Sequence, residues 1–312
     1  MSGSVTPPSK GKPSYEEARI AEFLNQQIAD LDGKVNVSFE FFPPNTPEMQ
    51  NTLWSSIKKL EPLNPDFVSV TYGAAASTRS RTHDVITKII RETELTAVPH
   101  LTCIGSSEAE IEHIAEDYWS KGVRHIVALR GDLGQGTEQG DFKYATDLVY
   151  KLKQLHDFEI SVAAYPEIHP EAETAKADLE NLKRKVDAGA SRAISQFFFS
   201  AEKFLRFRDQ CQREGLQIDL TPGILPVTNF TQLQKFAKFT QVDIPDWMYK
   251  VYDGLQDDPE TSRLIASHIA IEQVKLLVKE GVSDFHFYTL NRADLTYAIC
   301  HSLGKRCLTS AA

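Results

Sequence analysis

The sequence predicts an α/β fold, a single (β/α)8 barrel of the TIM-barrel type. Eight short runs rich in β-branched and aromatic residues recur along the chain, and their starts are mostly about thirty residues apart. That interval is the length of one strand–helix unit. Segments with helical spacing lie between the runs, and parallel strands need such crossovers. No linker divides the 312 residues, so we assign one domain rather than two.

The predicted strands follow one another with little interruption. They are VNVSFEFF (35–42), FVSVTYG (67–73), AVPHLTC (97–103), HIVALRG (125–131), EISVAAYP (159–166), RAISQFFF (192–199), IDLTPGILP (218–226) and DFHFYTLN (284–291). An open, doubly wound sheet is the alternative arrangement for eight strands. We disfavour it because no GxGxxG motif follows any of the strands.

Helical patterns fill the intervals. The clearest cover 49–60, 108–122 and 177–189, with Ser106 or Ser107 as an N-cap, Gly122 as a stop and a glycine at the end of the last. The longest interval, before the eighth strand, adds an extra helical segment at 246–279. Residues 1–14 are polar and proline-rich and predict a disordered tail. Residues 15–31 predict a lead-in helix, so the barrel domain is assigned to 15–312.

Composition narrows the class of protein. The net charge is −9, with no basic patch, which disfavours nucleic acid and anionic membranes as partners. The four cysteines form no CxxC pair and the histidines form no HxH or HExxH motif, so we expect neither a disulfide framework nor a metal site. No signal peptide and no apolar run of membrane-spanning length are present. These features favour a cytoplasmic enzyme or binding protein.

Catalytic groups of such barrels lie at the carboxyl ends of the strands. The first strand carries Glu40 among three phenylalanines. An unpaired carboxylate in apolar surroundings titrates at a raised pKa, which suits a general acid. A structural carboxylate paired with Arg or Lys is the alternative, and the pattern alone does not choose.

Nearly every other strand end offers one hydrogen-bonding side chain, which favours a large, polar, planar ligand over a metal. These positions are Thr71, Tyr72, His100, Arg130, Asp132, Tyr165, His169, Gln196 and Arg292. Simpler explanations remain: His100 as a satisfied core histidine, and Arg130 with Asp132 as a salt-bridged turn. Asp178, Asn181 and Lys185 share one helix face, which by spacing alone is a solvated face.

Nine stretches of the chain resemble a known family. They are VSFEFFPP, VSVTYGA, PHLTC, HIVALRGD, SVAAYPE, NLKRKVDAGA, QFFF, PGILPV and DFHFYTLNRA, spread over roughly residues 20–304. In this order they resemble the bacterial 5,10-methylenetetrahydrofolate reductases. The fold of that family is a (β/α)8 barrel, in agreement with the strand count.

The resemblance implies an activity and its cofactors. FAD would be bound and reduced by NADH or NADPH, with NADH expected, and would then reduce methylenetetrahydrofolate to 5-methyltetrahydrofolate in a ping-pong scheme that supplies methyl groups for methionine synthesis. No metal is implied. Family members form homodimers or homotetramers, which is the expectation here.

Several residues acquire roles through the resemblance. Glu40 matches the general acid that protonates N10 of the folate, and Asp132 matches an aspartate near the flavin and the pterin. Gln196 and Gln232 match folate-contacting glutamines, and Arg292 lies near the far end of the substrate. Phe236 matches an aromatic over the site, although a core face shared with Phe239 is the alternative.

A larger set matches positions that hold FAD. It comprises Thr71, Tyr72, Ala74, His100, Arg130, Gly131, Asp132, Tyr144, Ala145, Tyr165, His169, Ala172, Asp178, Asn181, Arg184 and Lys185. The cations of this set suit a pyrophosphate.

Two other classes compete with this hypothesis. A related FAD barrel of the proline dehydrogenase kind needs no acid at N10 and no pterin-pairing glutamines. A binding protein without turnover would have no use for Glu40.

Overall fold

The computed structural model describes residue 31 and residues 33–72, 76–132 and 140–306, without the side chains of 76–79. The predicted tail, nearly all of the lead-in helix, and Ala74 lie outside this part. Within it, eight parallel strands close into a barrel in the order β1 to β8. The predicted TIM-barrel fold is confirmed.

Each strand lies inside its predicted run. The bounds are Asn36–Phe41 (β1), Val68–Val70 (β2), Ala97–Thr102 (β3), His125–Leu129 (β4), Glu159–Ala164 (β5), Arg192–Phe197 (β6), Asp219–Ile224 (β7) and Asp284–Tyr288 (β8). The runs extend one to three residues past the last strand residue, because side chains of strand type continue into the loops that carry the site.

The helices form the outer layer. They are Pro47–Leu60 (α1), Ala76–Glu92 (α2), Glu108–Ser120 (α3), Ala145–Leu155 (α4), Ala175–Asp187 (α5), Ala201–Arg213 (α6), Phe230–Thr240 (α7), Asp246–Val251 (α8), Pro259–Lys279 (α9) and Ala293–Ser302 (α10). The extra helical segment before β8 is confirmed as two helices, α8 and α9. In the part of the chain described, no helix is long and apolar enough to cross a membrane.

Local chemistry sets the start of α3. Ser107, rather than Ser106, is the N-cap: its Oγ accepts from the Glu110 amide at 3.3 Å, and Glu110 Oε2 accepts from the Ser107 amide at 2.8 Å. This reciprocal capping box satisfies two amides that a helix start leaves unpaired. Gly122, at φ 90°, turns the chain after the helix as predicted.

Successive side chains of each strand alternate between the helix-facing side and the interior of the barrel. Phe39, Phe41 and Phe287 are fully buried in the cluster that joins the strands to the surrounding helices. Their neighbours Ser38 and His286 are also buried but contact each other. Since successive strand residues face opposite ways, the layer under the helices is apolar and the barrel interior is largely polar.

Candidate active site

The Glu40 carboxylate lies between two imidazoles inside the barrel. Its Oε2 is 3.4 Å from Nε2 of His100 and 3.6 Å from Nε2 of His286, and 19% of the Glu40 side chain is exposed. Neither imidazole nitrogen makes a well-aligned hydrogen bond there. No Arg or Lys of the described residues lies within ion-pair distance of Glu40, so this part of the chain supplies no partner for the structural alternative.

The phenylalanines beside Glu40 do not surround its carboxylate. Phe39 and Phe41 point outward into the layer beneath the helices, where Phe39 packs on Phe287 with ring centroids 6.4 Å apart. The expectation of an apolar environment made by these rings is therefore wrong. Alternation along the strand separates residues that are adjacent in sequence.

His286 was not predicted, and it is bound to the first strand. Its Nδ1 is 2.7 Å from Oγ of Ser38, and the Ser38 hydroxyl is also 3.4 Å from the Phe285 carbonyl. When the hydroxyl donates to Nδ1, the proton on Nε2 faces Glu40; when Nδ1 donates instead, the Nε2 lone pair faces Glu40. The pair therefore accommodates Glu40 as a carboxylate or as an acid.

His100 faces Glu40 from the third strand. Burial lowers the pKa of its imidazole to about 4, more than the Glu40 carboxylate raises it. The ring is therefore neutral near pH 7. Its unpaired Nε2 rules out the interpretation of His100 as a hydrogen-bonded core histidine, and Thr102 Oγ1 on the same strand is buried without a partner as well. These two buried polar atoms of β3 are therefore candidate contacts for a bound ligand.

Tyr288, also not predicted, spans three strands. It pairs in register with Glu40 on β1, and its hydroxyl donates to the Ser195 carbonyl on β6 at 2.8 Å. A Cβ on Gly223 of the intervening β7 would lie 2.6 Å from the Tyr288 ring and 2.3 Å from the Ser195 oxygen. Burial and the nearby carboxylate raise the pKa of the phenol well above its usual value, so it remains a donor.

Gln196 lies where β6 loses its regular register with β7, between Ile194 and Phe197. Its Oε1 accepts from the Phe197 amide at 3.1 Å. Gln196 therefore lies near the carboxyl end of β6, the end of the barrel at which a site for a polar ligand is expected.

Arg130 follows β4 and binds Glu171 in a forked pair, at 2.6 and 2.7 Å. The adjoining Gly131 has φ 88°, and a Cβ there would lie 2.8 Å from Ile104 Cγ2, so only glycine fits. Asp132 comes next and is exposed at the mouth. Its charge acts on both Arg130 and Tyr165.

The loop after β5 is tied to α5. The Asp178 carboxylate accepts from the His169 amide at 2.9 Å, and the Lys185 ammonium donates to the Ala163 carbonyl at 2.9 Å. Burial lowers the pKa of Lys185 to about 8. These two residues are half-buried, so the solvated-face interpretation is wrong for them. Asn181 and Arg184 are exposed and contact each other.

The remaining positions matched to FAD border the same mouth. Tyr165 and His169 meet edge to face at 4.5 Å, and burial raises the pKa of Tyr165 to about 12. Cys103 Sγ is 3.6 Å from the carbonyl of Tyr144, the N-cap of α4, which holds that helix start beside β3. The others are half-buried or buried there: Thr71, Tyr72, Ala145 and Ala172.

A second group lies after β7 and β8. Gln232 and Phe236 are exposed one turn apart on α7. Phe236 is 40% and Phe239 80% exposed, so the alternative of a core face is wrong. Arg292 reaches Thr228 Oγ1 at 3.4 Å and lines, with Tyr288, a cavity of about 570 Å³. Across the described residues no three His, Cys, Asp or Glu side chains are grouped to hold a metal.

Comparison with known proteins decides the family. The family model "Methylenetetrahydrofolate reductase" matches residues 24–304. The chain belongs to this family.

Curated relatives extend the match over almost the whole chain. It is 59% identical to the 5,10-methylenetetrahydrofolate reductase of Pectobacterium carotovorum subsp. carotovorum, over 94% of this chain and 98% of that protein. It is 58% identical to the Escherichia coli (strain K12) enzyme, over 94% and 99%. The protein is thus an enzyme with methylenetetrahydrofolate reductase activity.

A solved structure shares the fold at low identity. A Clostridium thermocellum protein described as binding two copies of 5-methyl-5,6,7,8-tetrahydrofolic acid superposes with a TM-score of 0.59 at 14% identity, over 90% of this chain and 98% of that one. At this identity the likeness concerns the barrel alone.

Proposed function

We propose that the protein reduces 5,10-methylenetetrahydrofolate to 5-methyltetrahydrofolate with bound FAD, in a ping-pong reaction with NADH as donor. NADPH is the alternative donor. The observation that carries this proposal is the Glu40 carboxylate, held inside the barrel between His100 and His286 in a chain 58–59% identical to such reductases.

The described residues fit a flavin dinucleotide on the β2 to β6 side of the mouth. His100 Nε2 and Thr102 Oγ1 are buried polar atoms without partners, and Gly131 leaves room for a close backbone approach. Arg130 and Arg184 supply permanent cations for a pyrophosphate. Bound there, FAD would carry hydride between the two substrates, while the protein supplies the polar contacts around it.

The Glu40 carboxyl group has the location that ring opening requires, inside the barrel and beside His100 and His286. Proton transfer to N10 of the folate opens the five-membered ring to an N5 iminium, and a buried acid within hydrogen-bond reach does this best. His286, with the Ser38 hydroxyl donating to its Nδ1, carries its proton on Nε2, 3.6 Å from Oε2 of Glu40, and so stabilises the carboxylate that remains. The adjacent Tyr288 keeps its own proton and takes no part in the transfer.

Polar groups on both sides position the pterin. The Asp132 carboxylate stabilises the cationic iminium, and the amides of Gln196 and Gln232 match the paired donors and acceptors of the pterin. Phe236 is exposed at the mouth and covers the ring system, while Arg292 binds the anionic end of the substrate in the cavity it lines with Tyr288.

We expect the protein to work in the cytoplasm as a homodimer or homotetramer. The chain has a net charge of −9 and no cationic patch. We expect its anionic partners, folate and NAD(P)H, each to be bound through a few local cationic side chains.

Anaerobic spectroscopy tests the activity and the cofactor together. The purified protein is expected to be yellow, to bleach with NADH and to regain its colour with methylenetetrahydrofolate. A colourless protein that binds no added FAD contradicts the proposal. Bleaching by NADPH alone contradicts only the choice of donor.

A further inference from the structure

Helix α9 is apolar on two opposite faces. Ala266, Ala270 and Val274 are buried against the barrel, as expected for an outer helix. On the far side Leu264 is 68% and Leu276 53% exposed. A helix that is apolar all round is normally covered on both sides. Among the described residues nothing covers the outer face.

The exposed face continues onto α8. Trp247 and Val251 are 42% and 40% exposed, and they line one groove with Leu264, Ile265, Ile269 and Leu276. We call these six residues the α9 patch. The exposed fractions correspond to roughly 400 Å² of apolar surface, within the ~300–600 Å² of the largest and often functional patch on a monomer.

The row of side chains along the outer face of α9 reads the same way from either end, apart from its two central residues. Leu264, His268, Glu272 and Leu276 recur every four residues and form one ridge of the helix. Suppose that α9 packs antiparallel on the α9 of a second copy, about a two-fold axis beside residue 270. A residue that lies a given number of positions after 270 is then opposite the partner's residue the same number of positions before 270. Leu264 then faces the partner's Leu276, and His268 faces the partner's Glu272.

We propose that the α9 patch is the interface between two copies of this chain, paired about that axis. In this arrangement apolar residues meet apolar residues and an imidazole meets a carboxylate. Within the ridge no two side chains of like charge face each other. Such self-complementarity is what an isologous contact requires.

The size of the patch fits this occupant. A stable dimer buries about 800 Å² on each partner, of which roughly two thirds is apolar in the core. The patch supplies most of that core, and the rim around it is polar. Lys275, 2.9 Å from Glu272, and the exposed Arg263 are part of this rim. The proposal rests on self-association and is independent of the reductase activity.

Sedimentation equilibrium of the full chain tests the surface. Leu264→Glu places two carboxylates in the apolar contact, so the mass of the assembly is expected to fall by half, with association weakened by at least about 100-fold. Tyr150→Glu is the matched control, since Tyr150 of α4 is also a large hydrophobic residue, 59% exposed, but lies off the patch. It should keep the wild-type mass.

The results separate cleanly. A wild-type monomer overturns both the surface and the expected self-association, and is the outcome if the chain's own N-terminal residues cover the patch. An oligomer that survives Leu264→Glu but dissociates with Tyr150→Glu overturns the surface alone. Neither outcome bears on flavin reduction, which is measured separately.

Cross-linking tests the two-fold pairing. In a Cys307→Ser background, Leu264→Cys and Leu276→Cys are purified separately, mixed to exchange subunits and treated with a short bismaleimide. The other cysteines, Cys103, Cys211 and Cys300, are buried. Only the mixture should cross-link, because two copies of residue 264 lie about 18 Å apart along the paired helices. Equal cross-linking of either variant alone overturns the antiparallel arrangement.

Discussion

The carboxylate of Glu40 lies 3.4 Å from Nε2 of His100, an imidazole whose pKa is lowered to about 4 by burial. Near neutral pH this is a contact between a titratable acid and a neutral ring, not a salt bridge. A fixed cation at this distance would hold Glu40 as a carboxylate. The neutral His100 ring therefore adds no positive charge beside Glu40.

Replacing Glu40 with Gln should separate the two half-reactions. The amide keeps the size of the side chain but carries no transferable proton. We expect reduction by NADH to change by less than about threefold and reduction of methylenetetrahydrofolate to fall by ~10²–10⁴-fold, as for loss of a general acid. Anaerobic stopped-flow absorbance measures each step.

The matched control is Glu159→Gln, at the start of β5, the opposite end of the barrel from the mouth. It should leave both steps unchanged. If Glu40→Gln slows both half-reactions equally, Glu40 acts in cofactor binding and the acid role is wrong.

Arg130 is expected to hold FAD directly. Arg130→Lys removes the forked donor set, so the dissociation constant of FAD should rise by about tenfold or more. Glu171→Ala removes the ion pair but keeps the guanidinium. Because Glu171 is 61% exposed, its loss should change the free energy of unfolding by less than about 1 kcal/mol, and FAD affinity by less than about threefold.

Titration of the apoprotein with FAD, followed by fluorescence quenching, compares the two variants. Equal losses of affinity would mean that the ion pair, rather than Arg130 itself, supports the site.

Gly223→Ala should destabilise the barrel. The new methyl group would meet the Ser195 carbonyl at 2.3 Å and the Tyr288 ring at 2.6 Å, so backbone and ring must both shift. We expect a loss of about 2–4 kcal/mol, typical of overpacking against backbone. Chemical denaturation measures it.

Gly281→Ala serves as the comparison, because it has φ 83° and open space around it. It should cost only about 1–2 kcal/mol, from the left-handed backbone. A smaller loss for Gly223→Ala than for Gly281→Ala would contradict the close approach of Tyr288.

Lowering the pH should destabilise the fold because the buried imidazole of His125 resists protonation. Burial lowers the pKa of this imidazole to about 3 from the usual 6.5, and its Nε2 is 2.7 Å from Ser161 Oγ. Between these pH values the unfolded chain binds a proton that the folded chain excludes. The free energy of unfolding therefore falls as pH drops through this window, by up to about 1.4 kcal/mol per pH unit for this group.

His125→Gln keeps a hydrogen-bonding group toward Ser161 and removes the titration. Its free energy of unfolding between pH 7 and pH 4 should fall less steeply than that of the wild type. Measurements at pH 8, where the imidazole is neutral in both states, isolate the packing cost. Parallel slopes would contradict the buried neutral imidazole.

Local patterns predicted most of the architecture. Alternating strand and helix patterns located all eight strands and the extra helices before β8, because each depends on residues a few positions apart. Gly122 and Ser107 were readable for the same reason. The strand runs were too long at their carboxyl ends, where loop residues also favour extended backbone.

The candidate site was predicted in part. Glu40 was singled out because a carboxylate interrupts an apolar run, but its environment was misjudged. His286 and Tyr288 were overlooked, since each looks like an ordinary residue of an aromatic strand. A signal did exist: they occupy alternate positions of β8, the same face of the strand, as Ser38 and Glu40 do on β1.

The sequence by itself determined the fold class, the order of the elements and the carboxylate of the first strand. Tertiary structure alone decided what surrounds that carboxylate. Ser38 and His286 are 248 positions apart in the chain, and they meet because the last strand closes on the first. Barrel closure and strand register set which side chains share the interior, and neither is encoded within a local window of residues.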